Sequence, residues 1–276
     1  HAEAGARIID AAVIYRPPGA EPETLNFGNG GLSGTATDAE VKFSLGVQAF
    51  EDTFLYANAH IARNGSNDLV NLPLTGDIRA RAADANILQI LFTEIDNAAG
   101  LLTANIDVRG TLKSPEVTGR VELANGAFDS YRVNLALRQL NLVANIANNH
   151  LDFLGSGNAG DGRLQVNGDF LWERGELHGD LALNGQNLLV ADLPEYRVIA
   201  SPDLRFRVDA QNIHVAGDVT IPEASLQPVN LSGAVQSSDD ARYVGETVAE
   251  TEGRLHLVSE VRVRMGDNVR IDAFGL

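Results

Sequence analysis

The sequence predicts an all-β protein: one elongated antiparallel sheet, curled into a groove around an apolar interior, with one short amphipathic helix near residues 84–99. Three observations predict it. Apolar and polar residues alternate with a period of two along most of the chain. Asn-Gly and Asp-Gly dipeptides, which supply the positive φ of tight hairpins, fall between the alternating runs. A glycine-led strand recurs as TGRVELANGAF at 118–128, HGDLALNGQNL at 178–188 and VAGDVTIPEAS at 215–225.

Taken in order, the chain opens on HAEAGARIIDAAVIY, which is strand-like and lacks the basic-then-apolar order of a signal peptide. Asn64-Gly65 marks a first turn. From Asp84 to Gly100 the pattern changes: Ile87, Leu88, Leu91 and Ile95 form one stripe, with Asp84 placed as N-cap and Gly100 as C-cap, predicting a helix that covers apolar sheet. Alternation then resumes. Leu140 and Leu142 oppose Asn141, and Leu164 and Val166 oppose Gln165 and Asn167. Leu181 and Leu183 follow in the second glycine-led strand, and Val219 and Ile221 in the third. Leu204, Phe206 and Val208 oppose Arg205, Arg207 and Asp209, while Val261, Val263 and Met265 oppose Arg262 and Arg264. Each run has one apolar and one wet face. Asn125-Gly126, Asp161-Gly162 and Asn184-Gly185 are read as the hairpin turns between them.

The glycine-led repeats are unequally spaced, which disfavours a propeller or a fixed-period array. Residues 1–276 are expected to form a single β-domain, a fragment of a longer protein, with a helix-containing insertion at 84–100. Sheet order is expected to follow chain order as a meander. About twenty strands of ~5 residues would give a strip ~90 Å long and under ~20 Å wide, which must curl or fold to cover its apolar face.

Composition narrows the function. The 44% apolar content is ample for a core, yet aromatics are only 6% of residues, so the apolar face is aliphatic and leaves an open trough. A net charge of −16 repels nucleic-acid phosphates, so no nucleic-acid partner is expected. With no cysteine there is no disulfide, thiolate metal site or cysteine nucleophile. No apolar run reaches the ~18 residues of a membrane-spanning helix.

Motifs of chemistry are weak. GSGNAG at 155–160 has the glycine spacing of a dinucleotide loop, but strand-like sequence follows where a helix is needed, so it reads as a flexible hairpin loop. His1, His60, His150, His178, His214 and His256 lack metal-ligand spacing, and no metal or cofactor is expected. The acidic pairs Glu51-Asp52 and Asp239-Asp240 have no cleft implied around them, and residues 64–68 lack the full calcium-loop pattern. No catalytic residue is assigned.

LPEYRVIASPDLRFRVDAQNIHVAGDVTIPEASLQPVNL, at 193–231, resembles the C-terminal domain of the TamB family, with its PEY, SPDL and G-D-V-x-I-P elements. GTLKSPEVTGRVELANGAF, at 110–128, is similar to a repeated element of the same family. The resemblance implies a periplasmic groove protein, anchored in the full-length form to the bacterial inner membrane. It implies transport of phospholipid between the two membranes and support of outer-membrane protein assembly with the barrel partner TamA, contacted through a region beyond this chain.

The resulting expectation is a non-enzymatic conduit for phospholipid acyl chains. Its groove candidates are Leu140, Leu142, Leu164, Val166, Leu181, Leu183, Leu204, Phe206, Val208, Val219, Ile221, Val261, Val263 and Met265. The alternative is a chaperone or scaffold that binds unfolded outer-membrane proteins by adding strands to its sheet edges. A carbohydrate-binding solenoid would need aromatic platforms that this composition does not provide.

Overall fold

The computed structural model describes residues 1–15, 23–49, 52–63, 65–83, 98–130, 134–173, 176–226 and 256–271. Its first strands are β1 (Ala2–Tyr15), β2 (Glu23–Ala36), β3 (Glu40–Ala49), β4 (Phe54–Ala62) and β5 (Leu74–Ala82). Next come β6 (Ala98–Gly110), β7 (Pro115–Ser130), β8 (Leu135–Ala147), β9 (His150–Ala159) and β10 (Gly162–Glu173). The last are β11 (Glu176–Gln186), β12 (Leu188–Leu193), β13 (Tyr196–Asp209), β14 (Asn212–Leu226) and β15 (His256–Ile271). All 15 belong to one open, curled sheet whose order follows the chain. β11 and β12 share the same edge of β13, separated at Asn187, whose φ is +51°.

The meander is antiparallel from β1 to β14, as the hairpin signals predict. β15 departs from it and runs parallel to β14, with Val219 opposite Val263. A parallel return needs a crossover of a dozen or more residues, and the chain between Leu226 and His256 has that length. The strands of the described residues are longer than expected, reaching 16 residues in β7 and β15. At ~4.8 Å per strand the hydrogen-bonded path is therefore ~60 Å long and ~30–50 Å wide.

Several turn readings need correction. Asp161-Gly162 does belong to the β9–β10 hairpin, with Gly160 and Asp161 in the turn. Asn125-Gly126 lies inside β7 as a bulge, with Asn125 at φ +49°. Asn184-Gly185 lies inside β11, and Asn64 lies outside the described residues. The tight β8–β9 hairpin is closed instead by Asn148 and Asn149, both at positive φ (+49° and +67°), the backbone of a type I′ turn. GSGNAG is strand up to Ala159, not a loop. Of the expected helix, residues 84–97 lie outside the described residues, while Ala98, Ala99 and Gly100 open β6, so Gly100 is no helix cap.

The recurrent glycines have a steric cause. A Cβ at Gly119 would lie 2.3 Å from the Asn105 carbonyl oxygen, at Gly179 2.2 Å from that of Asp169, and at Gly217 2.1 Å from that of Asp203. Each faces a large apolar partner on the preceding strand, Ile106, Phe170 and Leu204 respectively. The repeat therefore marks where two backbones approach too closely for any side chain. Core burial is local: Leu123 and Leu140 are buried, with Leu102, Phe128, Leu137 and Leu142 packed against them. Among the described residues no large side chain is fully buried, and no helix is long and apolar enough to cross a membrane.

Candidate functional site

Because strand side chains alternate between faces, the register assigns each residue a side. One transverse row from β3 to β14 reads Val47, Leu55, Ala80, Ala104, Val121, Ala144, Phe153, Gly168, Leu181, Phe206 and Val215. A parallel row on the same face carries Leu45, Ala57, Ile78, Ile106, Ile146, Leu151, Phe170, Val208 and Ile213. A third carries Leu102, Leu123, Leu142, Val166, Leu183, Leu204 and Val261. No charged side chain interrupts these rows.

All fourteen groove candidates fall on this face. Leu142, Val166, Leu183, Leu204 and Val261 share the third row, Leu181 and Phe206 the first, and Val208 the second. Leu164, Val219 and Val263 continue the face one pleat beyond the third row; Leu140 packs there over Gly157, and Ile221 pairs with Met265 further out. Most are half-buried, whereas Val263 and Met265 are 53% and 66% exposed on β15, which has no outer neighbour among the described residues.

The opposite face is charged. Its central row reads Tyr56, Arg79, Asn105, Arg120, Asn145, Asp152, Asp169, Asp180, Arg207 and His214. Cross-strand contacts knit it: ion pairs from Arg79 to Asp107 at 2.6 Å and Arg207 to Asp180 at 3.0 Å, and imidazole–carboxylate contacts from His178 to Asp209 and His150 to Asp169, both at 2.8 Å. The hydrogen bond from Lys42 holds the Glu40 carboxyl below its ordinary value, and His60 adds to the effect. The Asp107 carboxylate holds the Arg79 guanidinium above its own ordinary value.

A depression of about 1200 Å³ also lies on the charged face, edged by Asn145, Asp152, Asp169, Asp180, Arg207 and His214. The sequence reading placed the site on the aliphatic side and passed over this one. Its signal was present in the alternation, since Asp152, Asp169 and Asp180 each occupy the polar phase of a strand.

The glycine-led strands, the PEY turn before β13 and the G-D-V-x-I-P course of β14 now have defined places in the sheet. Residues 153–276 match the family model of the TamB C-terminal domain. That part of the chain, a little under half of it, is similar to the TamB family. The chain is 25% identical over 228 residues to the Haemophilus influenzae protein named translocation and assembly module subunit TamB. That alignment covers 76% of this chain and 17% of the relative, so the chain spans about 17% of that TamB protein's length. No solved structure matches. The matched TamB region starts in β9 and takes in twelve of the fourteen groove candidates; Leu140 and Leu142, on β8, precede it.

Proposed function

We propose that this chain forms part of a non-enzymatic, periplasmic lipid conduit of the bacterial envelope. In its full-length protein it would be anchored to the inner membrane. There it would carry phospholipid between inner and outer membranes, support outer-membrane protein assembly and work with TamA through a region beyond this chain. One observation supports the reading: three transverse rows of one face hold aliphatic and aromatic side chains without a charged member, and eight of the fourteen residues chosen for their phase in the sequence lie in them.

An acyl chain needs such a surface. Each buried CH₂ contributes about 0.8 kcal/mol, and an unmatched buried polar atom would cost about 1–3 kcal/mol. A face of repeated Leu, Val and Ile offers many near-equivalent positions, so cargo can move along it without crossing a deep trap. Most of the candidate side chains on that face are half-buried, while the charged face meets water. The strands extend the surface; no reaction is required of them.

A second reading, a scaffold for unfolded outer-membrane strands, is favoured by β15. Among the described residues its outer edge pairs with no strand, and its Leu257 and Met265 are 67% and 66% exposed.

The test is native mass spectrometry of the chain purified from a bacterial envelope. The conduit predicts bound phospholipid in defined stoichiometry, lost in Phe206→Glu and Val263→Asp while far-ultraviolet circular dichroism still reports a folded sheet. A folded, lipid-free wild type would overturn it and leave the scaffold.

A further inference from the structure

Asp152, Asp169 and Asp180 stand directly opposite one another on β9, β10 and β11. Like charges in this relation repel across a sheet. Asp180 is relieved by Arg207 at 3.0 Å. Asp152 and Asp169 instead share His150, whose single Nε2 lies 2.8 Å from Asp169 Oδ2 and 3.4 Å from Asp152 Oδ1. One N–H cannot serve both carboxylates well, because 3.4 Å is long for a charged hydrogen bond.

We propose that His150, Asp152 and Asp169 bind Zn²⁺ at the edge of the charged-face depression. One ligand atom from each residue lies within 4.8 Å of the other two. Bonds of ~2.0–2.2 Å from one ion would draw the three atoms together by small side-chain rotations, leaving a further position for water or an anionic ligand. One imidazole nitrogen with two carboxylates suits zinc, whereas calcium prefers oxygen alone.

His178 supplies an internal contrast. It also contacts two carboxylates, but through different nitrogens, Nδ1 to Asp209 at 2.8 Å and Nε2 to Glu176 at 3.5 Å. Those nitrogens point away from each other across the ring, so the carboxylates bridge the imidazole and do not converge on one ion. At His150 a single nitrogen faces both carboxylates, which is the geometry of a shared centre.

The experiment is isothermal titration of the whole chain with Zn²⁺ in a non-chelating buffer at neutral pH, with circular dichroism to confirm folding. The expected result is one saturable site, weakened at least about tenfold in both His150→Gln and Asp169→Asn and unchanged in His178→Gln. A parallel Ca²⁺ titration should be the weaker. No saturable Zn²⁺ binding, equal loss in His178→Gln, or Zn²⁺ affinity indifferent to His150→Gln would each overturn the proposal.

Discussion

Leu181 on β11 faces Phe206 on β13 directly, and one residue along each strand the opposed pair is Asp180 and Arg207, joined at 3.0 Å. Adjacent pairs in one ladder thus serve opposite sides of the sheet. The first belongs to a continuous aliphatic surface, the second to a charged one, and substitutions in the two should separate cleanly.

Arg207→Ala should cost less than about 1 kcal/mol, because both members of its pair are largely exposed and exposed pairs contribute little. Phospholipid bound to the aliphatic face should be unaffected. Chemical denaturation and native mass spectrometry on the same preparation check both expectations; loss of lipid here would detach lipid binding from the aliphatic face.

Gly217→Ala should destabilise the sheet by more than about 1 kcal/mol. The glycine has φ +140°, and its new Cβ would lie 2.1 Å from the Asp203 carbonyl oxygen, so β13 and β14 must separate. The midpoint of urea unfolding should fall. Gly65→Ala, at a surface turn where a Cβ meets nothing within 4 Å but φ is +80°, should show only the smaller backbone penalty.

Leu140→Ala should cost about 2 kcal/mol, near the lower end for a core leucine. Leu140 is 3% exposed and packs with Leu123 and Leu142, yet the sheet is open and can partly collapse over the gap. Met265→Ala, at 66% exposure, should leave the unfolding midpoint almost unchanged.

Glu40 should titrate below its ordinary value of 4.5, chiefly because of its hydrogen bond from Lys42. A carboxyl whose folded pKa is depressed stabilises the fold above the unfolded value and loses that contribution as pH falls through the folded one. The window is therefore acidic, below pH 4.5. Carbon-detected NMR titration should show the midpoint move up toward 4.5 in Lys42→Met. An unmoved midpoint would assign the shift elsewhere.

The legible part of this fold is local. Phe206 and Val208 could be assigned to one face and Arg205 and Arg207 to the other because a strand's pleat repeats every two residues, whatever lies beside it. Gly119, Gly179 and Gly217 stood out for a reason held in the next strand, a carbonyl that occupies the Cβ position. Asn148-Asn149 was passed over as a turn, and Asn125-Gly126 wrongly taken for one, because a positive φ serves a bulge as readily as a hairpin.

Alternation by itself determined the all-β class, the aliphatic phase of each strand and the meander from β1 to β14, since all three follow from side-chain period and short connections. Only the tertiary structure decided that β15 returns parallel, that the described residues form fifteen long strands where short ones were expected, and that His150 and Asp152 meet Asp169. These depend on which strand lies beside which and in what register. Register is a sum of hydrogen bonds and cross-strand contacts over the whole ladder, and no short stretch of sequence contains that sum.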